Sequence, residues 1–294
     1  SYHDWLENKL LNLGLSKDMT SLLRIDKPVG YMLLFWPCVW GVLLASGRTV
    51  PILLILLFFI GAIVMRSCGC IINDLFDRKL DAQVRRTKNR PLASSKIKPG
   101  DAYRMIAVLL AIGLVVLLLL PKNAQYAAIV GAVLMVIYPL MKRVTYLPQL
   151  VLGLAFNIGI VVGYFSLGGF SASVWYLYAA GIGWTLLYDT VYAYQDVDDD
   201  RKVGVKSLAL LLGQKGKLYL EQLAKFVMIL FVLVGLIDGL STAYYIGLAF
   251  AAAHMWWELS KINLDKPEKC MKFFKANSSF GLLVTLALIA EKFW

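Results

Sequence analysis

Long apolar runs separated by short polar connections cover most of this chain. Each run approaches the roughly 20 residues that an α-helix needs to cross a bilayer, and Gly or Pro marks several of the ends. The pattern therefore predicts an all-α membrane protein, a single transmembrane domain over residues 1–294 with nine membrane-spanning helices. The predicted spans are 29–46, 51–72, 104–120, 124–141, 148–168, 174–194, 219–238, 241–257 and 277–291.

Residues 1–27 read as an amphipathic, partly basic segment ahead of the first predicted span. Leucines recur along it, and an amphipathic segment of this kind can lie in the plane of a membrane surface. The side chains that we expect on that surface are Leu10, Leu11, Leu13, Leu15, Leu22 and Leu23.

Composition agrees with a membrane location. The 294 residues are 59% hydrophobic, with a mean hydropathy of +0.67, which exceeds the usual range of soluble domains. The net charge of +11 lies in the connections between spans, and this placement does not favour nucleic-acid binding. Four cysteines (Cys38, Cys68, Cys70 and Cys270) follow no zinc or disulfide spacing, so we expect buried thiols.

Lysine and arginine are distributed unequally between the two ends of the predicted spans. Of these 30 residues, 26 fall before span 1 or in the connections 2–3, 4–5, 6–7 and 8–9 with the adjoining span edges, which include Arg104 and Lys225. Only Arg48, Lys122 and Lys292 fall on the opposite side, and Arg66 lies within a span. Positive charge marks the inner side of a membrane protein, so the N-terminus is predicted to be inside. The long charged connections 2–3 and 6–7 are then inner-side loops that we expect to cap a site.

The first of two acid-rich stretches ends span 2. At about 100° per residue, Asn73, Asp77 and Asp81 share one face of a helix, with Asp74 at its margin. Arg66 lies on the same face two turns deeper. Ionisable side chains within or beside a membrane span are costly and usually functional.

The second acid-rich stretch ends span 6 and repeats this arrangement. Asp189, Tyr192, Asp196 and Asp200 share one helical face, whereas Asp198 points the opposite way. The letters NxxxDRK of the first stretch align with DxxxDRK of the second at a constant offset of 123 residues. Because both stretches end spans on the inner side, we expect one site lined from two directions.

Two interpretations fit these clusters. Helix ends can carry solvated acids paired with neighbouring Lys and Arg. Carboxylate and amide oxygens are also the hard ligands that Mg²⁺ prefers, and Mg²⁺ would link them to a substrate diphosphate; the repetition on one side favours this second interpretation. Arg66 is either an ion-pair partner of Asp74 or Asp77, or a contact for an anion such as a diphosphate or a carboxylate.

Several further side chains are candidates for the same site. Lys142 and Arg143 end span 4, either as a helix stop or as a diphosphate clamp. Arg24 and Asp26 open span 1, as a charged helix start or as part of the site. Asn157 is a lone amide within span 5, either a helix–helix contact or a substrate contact. Aromatic side chains near the acids, whose π faces can shield a carbocation, are Phe76, Tyr188, Tyr192 and Tyr194.

Several stretches of this sequence resemble the UbiA superfamily of intramembrane aromatic prenyltransferases. They read NDLFDRKLD with a downstream NRPLAS, then YPLMKR, then YDTVYAYQDVDDDRKVGVKSLALLLG. The opening RIDKPVGYMLLFWP, together with LPQLVLGLAFN and YDTVYAYQD, is most similar to the subgroup that prenylates 4-hydroxybenzoate in ubiquinone biosynthesis. The resemblance extends from about Leu23 to the last span.

This resemblance implies nine helices around a central cavity, a polyprenyl diphosphate donor and Mg²⁺ as cofactor. The implied metal ligands are Asn73, Asp77, Asp81, Asp196 and Asp200. The expected diphosphate contacts are Lys142, Arg143, Arg66 and Tyr192. Residues expected to bind the acceptor or to support the site are Arg24, Asp26, Asp74, Asn157 and Asp189. An allylic cation would attack the ring carbon ortho to the hydroxyl of 4-hydroxybenzoate, with Asp77 or Asp196 as the base.

Alternatives stay open at this point. A sibling enzyme would use homogentisate, dihydroxynaphthoate or haem as acceptor. An ion-coupled transporter would place its acids at mid-membrane depth in broken helices. The expected partners are the two substrates and membrane lipid. The chain starts at Ser1 rather than Met, which permits a removed leader, so we expect the mitochondrial inner membrane with a matrix-facing site; the alternative is the bacterial plasma membrane with a cytosol-facing site.

Overall fold

The computed structural model describes residues 16–294, and all regular structure in this range is helical, which confirms the all-α prediction. The helices are α1 (Lys17–Leu23), α2 (Pro28–Ala45), α3 (Ile52–Phe76), α4 (Arg78–Asp81), α5 (Pro99–Leu118), α6 (Lys122–Val144), α7 (Pro148–Phe165), α8 (Ser173–Ala193), α9 (Val197–Val203), α10 (Leu208–Leu212), α11 (Gly216–Asp238), α12 (Thr242–Ser260) and α13 (Pro267–Ala290), with 3₁₀ turns at Tyr194–Asp196, Gly213–Lys215 and Glu291–Phe293. Leu10, Leu11, Leu13 and Leu15, which we expect on the membrane surface, lie outside the described residues. The four cysteines are free and buried, as predicted.

Seven helical segments within residues 16–294 are long and apolar enough to cross a membrane. They contain α2, α3, α5, α6, α7, α11 and α13. Two further long helices in the same range, α8 and α12, are richer in Tyr, Trp, Ser and Thr, and this lowers their hydropathy. These nine long helices coincide with the nine predicted spans, while the count of nine membrane crossings stays a prediction.

Glycine allows α2 and α7 to cross at close range. A Cβ built on Gly41 of α2 would lie 2.0 Å from the carbonyl oxygen of Ile160, and one on Gly163 of α7 would lie 2.4 Å from that of Cys38. Gly159, one turn before Gly163, faces the same part of α2. Small residues four positions apart let membrane helices approach closely. The crossing joins two helices that line the cavity described below.

Aromatic side chains fill the space between α2, α8, α11 and α13. Trp40 and Trp184 have ring centroids 5.0 Å apart. Phe231 packs against Trp40 at 5.5 Å, and Phe280 packs against Trp184 at 5.6 Å. This aromatic core packs against the inward face of α11. No residue of α11 or α12, both wholly described, lines the cavity. Of the nine long helices within residues 16–294, seven contribute residues to the cavity wall.

Helix α1 packs inside the protein instead of lying on a membrane surface. Leu22 and Leu23 are buried in a small apolar cluster with Ile71 of α3 and Leu92 of the 77–98 connection. The expectation that Leu22 and Leu23 face the membrane surface is wrong. The connection folds back over the end of α3 and offers them apolar partners, which a pattern of neighbouring residues does not reveal.

Candidate active site

A large cavity opens at one end of the helix bundle. Its volume is about 1250 Å³, and its walls come from α2, α3, α5, α6, α7, α8, the beginning of α13 and the 77–98 and 194–207 connections. Charged side chains line the mouth near these connections, and the deeper walls are apolar. Asn73 and Phe58 of α3 both line the cavity, so it extends about 22 Å along that helix at ~1.5 Å per residue.

Both acid-rich stretches reach the mouth of this single cavity. The predicted site residues that line it are Asn73, Asp74, Asp77, Asp81, Asp189, Tyr192, Asp196, Asp200, Arg24, Asp26, Arg66 and Lys142. Arg143 and Asn157 do not line it. Among the lining residues that the sequence did not predict are Arg86, Arg90 and Phe274. A signal existed for the two arginines, because both lie in the basic run that follows the first acids.

The first acid-rich stretch is not one continuous helix. Helix α3 ends at Phe76, the chain bends at Asp77, and α4 forms a single turn, so the predicted unbroken helix is wrong here. Backbone hydrogen bonds preserve the spacing: Asp77 N donates to Asn73 O at 2.9 Å, and Asp81 N donates to Asp77 O at 2.7 Å. Asn73, Asp77 and Asp81 therefore still follow one another along the cavity wall.

The second acid-rich stretch changes helix type. After α8 ends, a 3₁₀ turn covers Tyr194–Asp196 and α9 follows. Because a 3₁₀ helix has about 3.0 residues per turn, Asp196 is rotated from its predicted α-helical phase. Asp196 and Asp200 nevertheless line the cavity. Asp198 is exposed and lies outside the cavity, as predicted.

Asp74 is a buried anchor beside the mouth. Its two carboxylate oxygens accept hydrogen bonds from different arginines, at 2.8 Å from Arg24 Nη2 and at 3.0 Å from Arg90 Nη1. Arg90 Nη1 also donates to Asp81 Oδ2 at 2.8 Å. These contacts tie the end of α1, helix α3 and the 77–98 connection together. Asp74 and Arg24 thus support the site, and neither is free to hold a ligand in this arrangement.

Lys142 at the end of α6 bridges two of the predicted metal ligands. Its Nζ lies 3.2 Å from Asn73 Oδ1 and 3.2 Å from Asp77 Oδ2. The other oxygen of Asp77, Oδ1, is buried without a hydrogen-bond partner. Arg143 instead donates to the Phe76 carbonyl oxygen at 2.9 Å. Arg143 therefore caps the end of α3, and its Nη2 also lies 3.9 Å from Asp77 Oδ1, so its contact with a diphosphate stays a prediction.

Asp196 is paired with Arg86, which belongs to the 77–98 connection that follows the first acid-rich stretch. Arg86 Nε donates to Asp196 Oδ1 at 2.8 Å, and Arg86 Nη1 donates to the Tyr192 hydroxyl at 2.7 Å. The carboxylate of Asp200 makes no hydrogen bond or ion pair with any residue that the structure describes. Burial and the nearby Asp196 raise the pKa of Asp200 to about 7. A cation placed beside such a carboxyl group would favour its charged form.

Arg66 lies deeper in the cavity, and neither Asp74 nor Asp77 pairs with it. Its Nε is buried without a hydrogen-bond partner, and its guanidinium carbon lies 5.4 Å from the centre of the Phe156 ring. Gly30 leaves room for it, since a Cβ there would lie 2.9 Å from Arg66 Nε. The ion-pair interpretation is therefore wrong. Guanidinium groups bind carboxylate and phosphate oxygens well, so an anionic group of a ligand fits here.

Asn157 is buried between α7 and α8 and does not reach the cavity. Its Nδ2 donates to Gly153 O at 2.8 Å and to Thr185 Oγ1 at 2.7 Å. Thr185 in turn donates to the Tyr188 hydroxyl at 3.1 Å. Of the two interpretations, the helix–helix contact is the one observed. Asn157 therefore makes no direct contact with the cavity, but the chain of hydrogen bonds orients Tyr188, which lines it.

Two of the four aromatic residues that we expect to shield a carbocation reach the cavity. Tyr188 and Tyr192 line the cavity, whereas Phe76 and Tyr194 do not. Phe274 of α13 packs against both tyrosines, with ring centroids 5.7 Å from Tyr188 and 4.7 Å from Tyr192. The π faces of rings at the mouth can stabilise a cation that forms there.

The donor set at the mouth fits a metal ion that also binds phosphate. Within residues 16–294, no three His, Cys, Asp or Glu side chains form a group that could hold a metal ion, because basic side chains contact most of the acids. Asp77 Oδ1 and Asp26 Oδ1 nonetheless lack hydrogen-bond partners, and Asp200 is unpaired. Mg²⁺ usually takes only one or two protein carboxylates and adds substrate phosphate and water. The mouth thus suits Mg²⁺ held jointly by the protein and a diphosphate.

The fold and the site together define a helical membrane protein whose large cavity has a charged mouth and apolar deeper walls. A family model described as the UbiA prenyltransferase family matches residues 34–282. The chain belongs to the UbiA prenyltransferase family, which confirms the resemblance of its motifs.

Individual proteins show the same relationship. A Caenorhabditis elegans protein named 4-hydroxybenzoate polyprenyltransferase, mitochondrial, is 40% identical over 282 residues, covering 94% of this chain and 78% of that protein. The 4-hydroxybenzoate octaprenyltransferase of Pseudomonas aeruginosa (strain LESB58) is 38% identical over 275 residues, 93% of each chain. The solved structure of a UbiA homolog from Archaeoglobus fulgidus bound to GPP and Mg²⁺ has a TM-score of 0.70 at 18% identity, covering 93% of this chain and 99% of that chain. At this low identity, the likeness to that structure concerns the fold alone.

Proposed function

We propose that this chain transfers a polyprenyl group from a polyprenyl diphosphate to the ring carbon ortho to the hydroxyl of 4-hydroxybenzoate, a step of ubiquinone biosynthesis. One observation supports this most: two acid motifs and their basic partners line the mouth of one cavity whose deeper walls are apolar. A diphosphate requires the polar mouth, and a polyprenyl chain requires the apolar walls. The names of the relatives support the choice of acceptor.

The diphosphate lies at the mouth in this proposal. Lys142 and Arg90 supply positive charge there, and the ammonium group of Lys142 is placed to bind the departing diphosphate. The residues that would hold Mg²⁺ are Asn73, Asp77, Asp81, Asp196 and Asp200. When bound, Mg²⁺ neutralises the charge that builds up on the leaving group.

The polyprenyl chain occupies the apolar part of the cavity. Leu110 and Leu114 of α5 and Ile129 of α6 line the cavity, and each is about half exposed. An apolar wall that is exposed in a membrane protein faces lipid, so the cavity is accessible from the bilayer on this side. Because a long apolar chain is unfavourable in water, it can extend into lipid while its head stays at the mouth.

The aromatic acceptor lies between the mouth and Arg66, whose open guanidinium donor suits the acceptor carboxylate. The allylic carbon–oxygen bond of the donor breaks, and a carbon–carbon bond forms ortho to the acceptor hydroxyl. The proton on that ring carbon then leaves, and aromaticity is restored. Asp77 or Asp196 acts as the base that removes the proton of the acceptor hydroxyl. The Tyr188 ring shields the allylic cation.

An ion-coupled transporter is disfavoured, because the acids lie at one end of the helices rather than at mid-membrane depth. We place the protein in the mitochondrial inner membrane with its mouth facing the matrix, which the name of the C. elegans relative supports. The bacterial plasma membrane with a cytosol-facing mouth is the alternative, as the P. aeruginosa relative is bacterial.

The test is a transfer assay with radiolabelled 4-hydroxybenzoate and geranyl diphosphate, with Mg²⁺ or with EDTA. We expect product only with Mg²⁺, and a rate at least about 100-fold lower in Asp77→Ala and in Asp200→Ala. Asp199→Ala is the matched control, because Asp199 lies outside the cavity and pairs with Lys202 at 3.8 Å. Full activity in both cavity variants, or in EDTA, would remove the proposed site. Faster reaction with homogentisate or dihydroxynaphthoate would reassign the acceptor.

A further inference from the structure

Arg86 covers one of the predicted metal ligands. Its Nε donates to Asp196 Oδ1 at 2.8 Å and its Nη2 donates to Asp196 Oδ2 at 2.5 Å, so both oxygens of this carboxylate carry a hydrogen bond. Its Nη1 donates to the Tyr192 hydroxyl, and its guanidinium carbon lies 5.0 Å from the centre of the Tyr192 ring. The whole head group of Arg86 is therefore engaged with the end of α8.

This contact joins the two sides of the mouth through a side chain that can move. Arg86 belongs to the 77–98 connection, 110 residues before Asp196 in the chain. The next residue, Thr87, is buried, and its Oγ1 donates to Asp81 O at 3.0 Å, which holds the local backbone in place. The Arg86 side chain is 34% exposed, so it can leave Asp196 while the connection stays where it is.

A metal ion and Arg86 compete for the same carboxylate. Coulomb repulsion is strong between a divalent cation and a guanidinium group that contact one carboxylate. Asp200, one helical turn beyond Asp196, has no ion-pair partner among the described residues. Arg86 thus supplies the positive charge that lets the two aspartates line one mouth when metal is not bound there.

We propose that Arg86 gates the metal site: it neutralises Asp196 in the substrate-free protein and releases it when a diphosphate binds the guanidinium. Metal alone then binds weakly, and metal and diphosphate bind together. A guanidinium forms two parallel hydrogen bonds with phosphate oxygens as well as with a carboxylate, so the displaced side chain has a partner of matching geometry. This inference rests on the proposed function, because it concerns the same mouth.

The test measures metal binding by the detergent-solubilised protein without turnover. Mn²⁺, a cation that suits the same oxygen ligands and is detected by electron paramagnetic resonance, is titrated alone and then with inorganic pyrophosphate. Arg86→Gln is expected to bind Mn²⁺ alone about tenfold more tightly than the unsubstituted protein, and to lose this advantage with pyrophosphate present. Arg85→Gln is the matched control: it removes the same charge from an exposed side chain outside the cavity, so its affinity should stay unchanged.

A second variant keeps the test decisive if Arg86→Gln does not fold. Arg86→Lys retains the charge but cannot hold both Asp196 oxygens in the same bidentate way, so it should also bind Mn²⁺ alone more tightly than the unsubstituted protein, by a smaller factor. Asp196→Asn added to either Arg86 variant should restore weak binding.

Two outcomes would overturn the gate and separate it from the proposed function. Equal affinities of the Arg86 variants and the unsubstituted protein for Mn²⁺ alone, with pyrophosphate still recruiting Mn²⁺, would refute the gate and leave the metal site standing. No Mn²⁺ binding by any of these proteins, even with pyrophosphate, would refute both the gate and the metal site of the proposed function.

Discussion

Replacing Asp74 by Asn removes a negative charge from a buried position held by two arginines. Asp74 is 2% exposed and accepts hydrogen bonds from Arg24 at 2.8 Å and from Arg90 at 3.0 Å. An Asn side chain keeps one acceptor oxygen but turns an NH₂ group toward the other guanidinium, so one charged hydrogen bond is lost. Such a bond contributes about 1.5–3 kcal/mol, and breaking a buried charge pair costs about 3–5 kcal/mol. We therefore expect the free energy of unfolding to fall by about 3 kcal/mol.

Thermal unfolding in detergent, followed by tryptophan fluorescence, measures this effect as a melting temperature lower by about 5 °C or more. Asp101→Asn is the matched control, because Asp101 pairs with Arg104 at 3.3 Å and both side chains are more than half exposed. An exposed pair contributes at most about 1 kcal/mol, so this variant should melt close to the unsubstituted protein. Equal melting temperatures for Asp74→Asn and Asp101→Asn would show that the buried charges do not stabilise the mouth of the cavity.

Two further substitutions test the second acid stretch and the position of α1. Asp198→Asn should leave the transfer rate within about twofold of the unsubstituted rate, since Asp198 is exposed and lies outside the cavity; a loss as large as that of Asp200→Ala would contradict the assignment of the lining acids. Leu22→Ala should lower the free energy of unfolding by about 2–5 kcal/mol, because Leu22 is fully buried. An unchanged melting temperature would instead favour the membrane-surface position that the amphipathic pattern predicts.

The long helices could be predicted because a span is a property of consecutive residues. Helices α3, α6 and α8 begin and end within a few residues of the predicted spans 51–72, 124–141 and 174–194. The unequal distribution of Lys and Arg placed both acid motifs on one side, and the structure brings both to one cavity mouth. The motif wording identified the family, which the family match confirms.

The contacts of the acids could not be predicted in the same way. Arg86 and Asp196 lie 110 residues apart, and Arg24 and Asp74 lie 50 apart, while the chain offers 30 basic residues as partners. The YPLMKR motif predicted that Lys142 and Arg143 both contact the diphosphate, yet one position along a helix turns a side chain by about 100°. That rotation is enough to direct it to the end of α3.

The amino-acid sequence was enough to identify a helical membrane protein of one family and to predict that its two acid motifs end spans on the same side. Only the tertiary structure decided which of those acids are neutralised, which stay unpaired, and which side chains reach the cavity. The physical reason is separation along the chain. Apolar periodicity and motif spacing involve neighbouring residues, whereas an ion pair or a cavity wall depends on groups that meet only when distant helices pack.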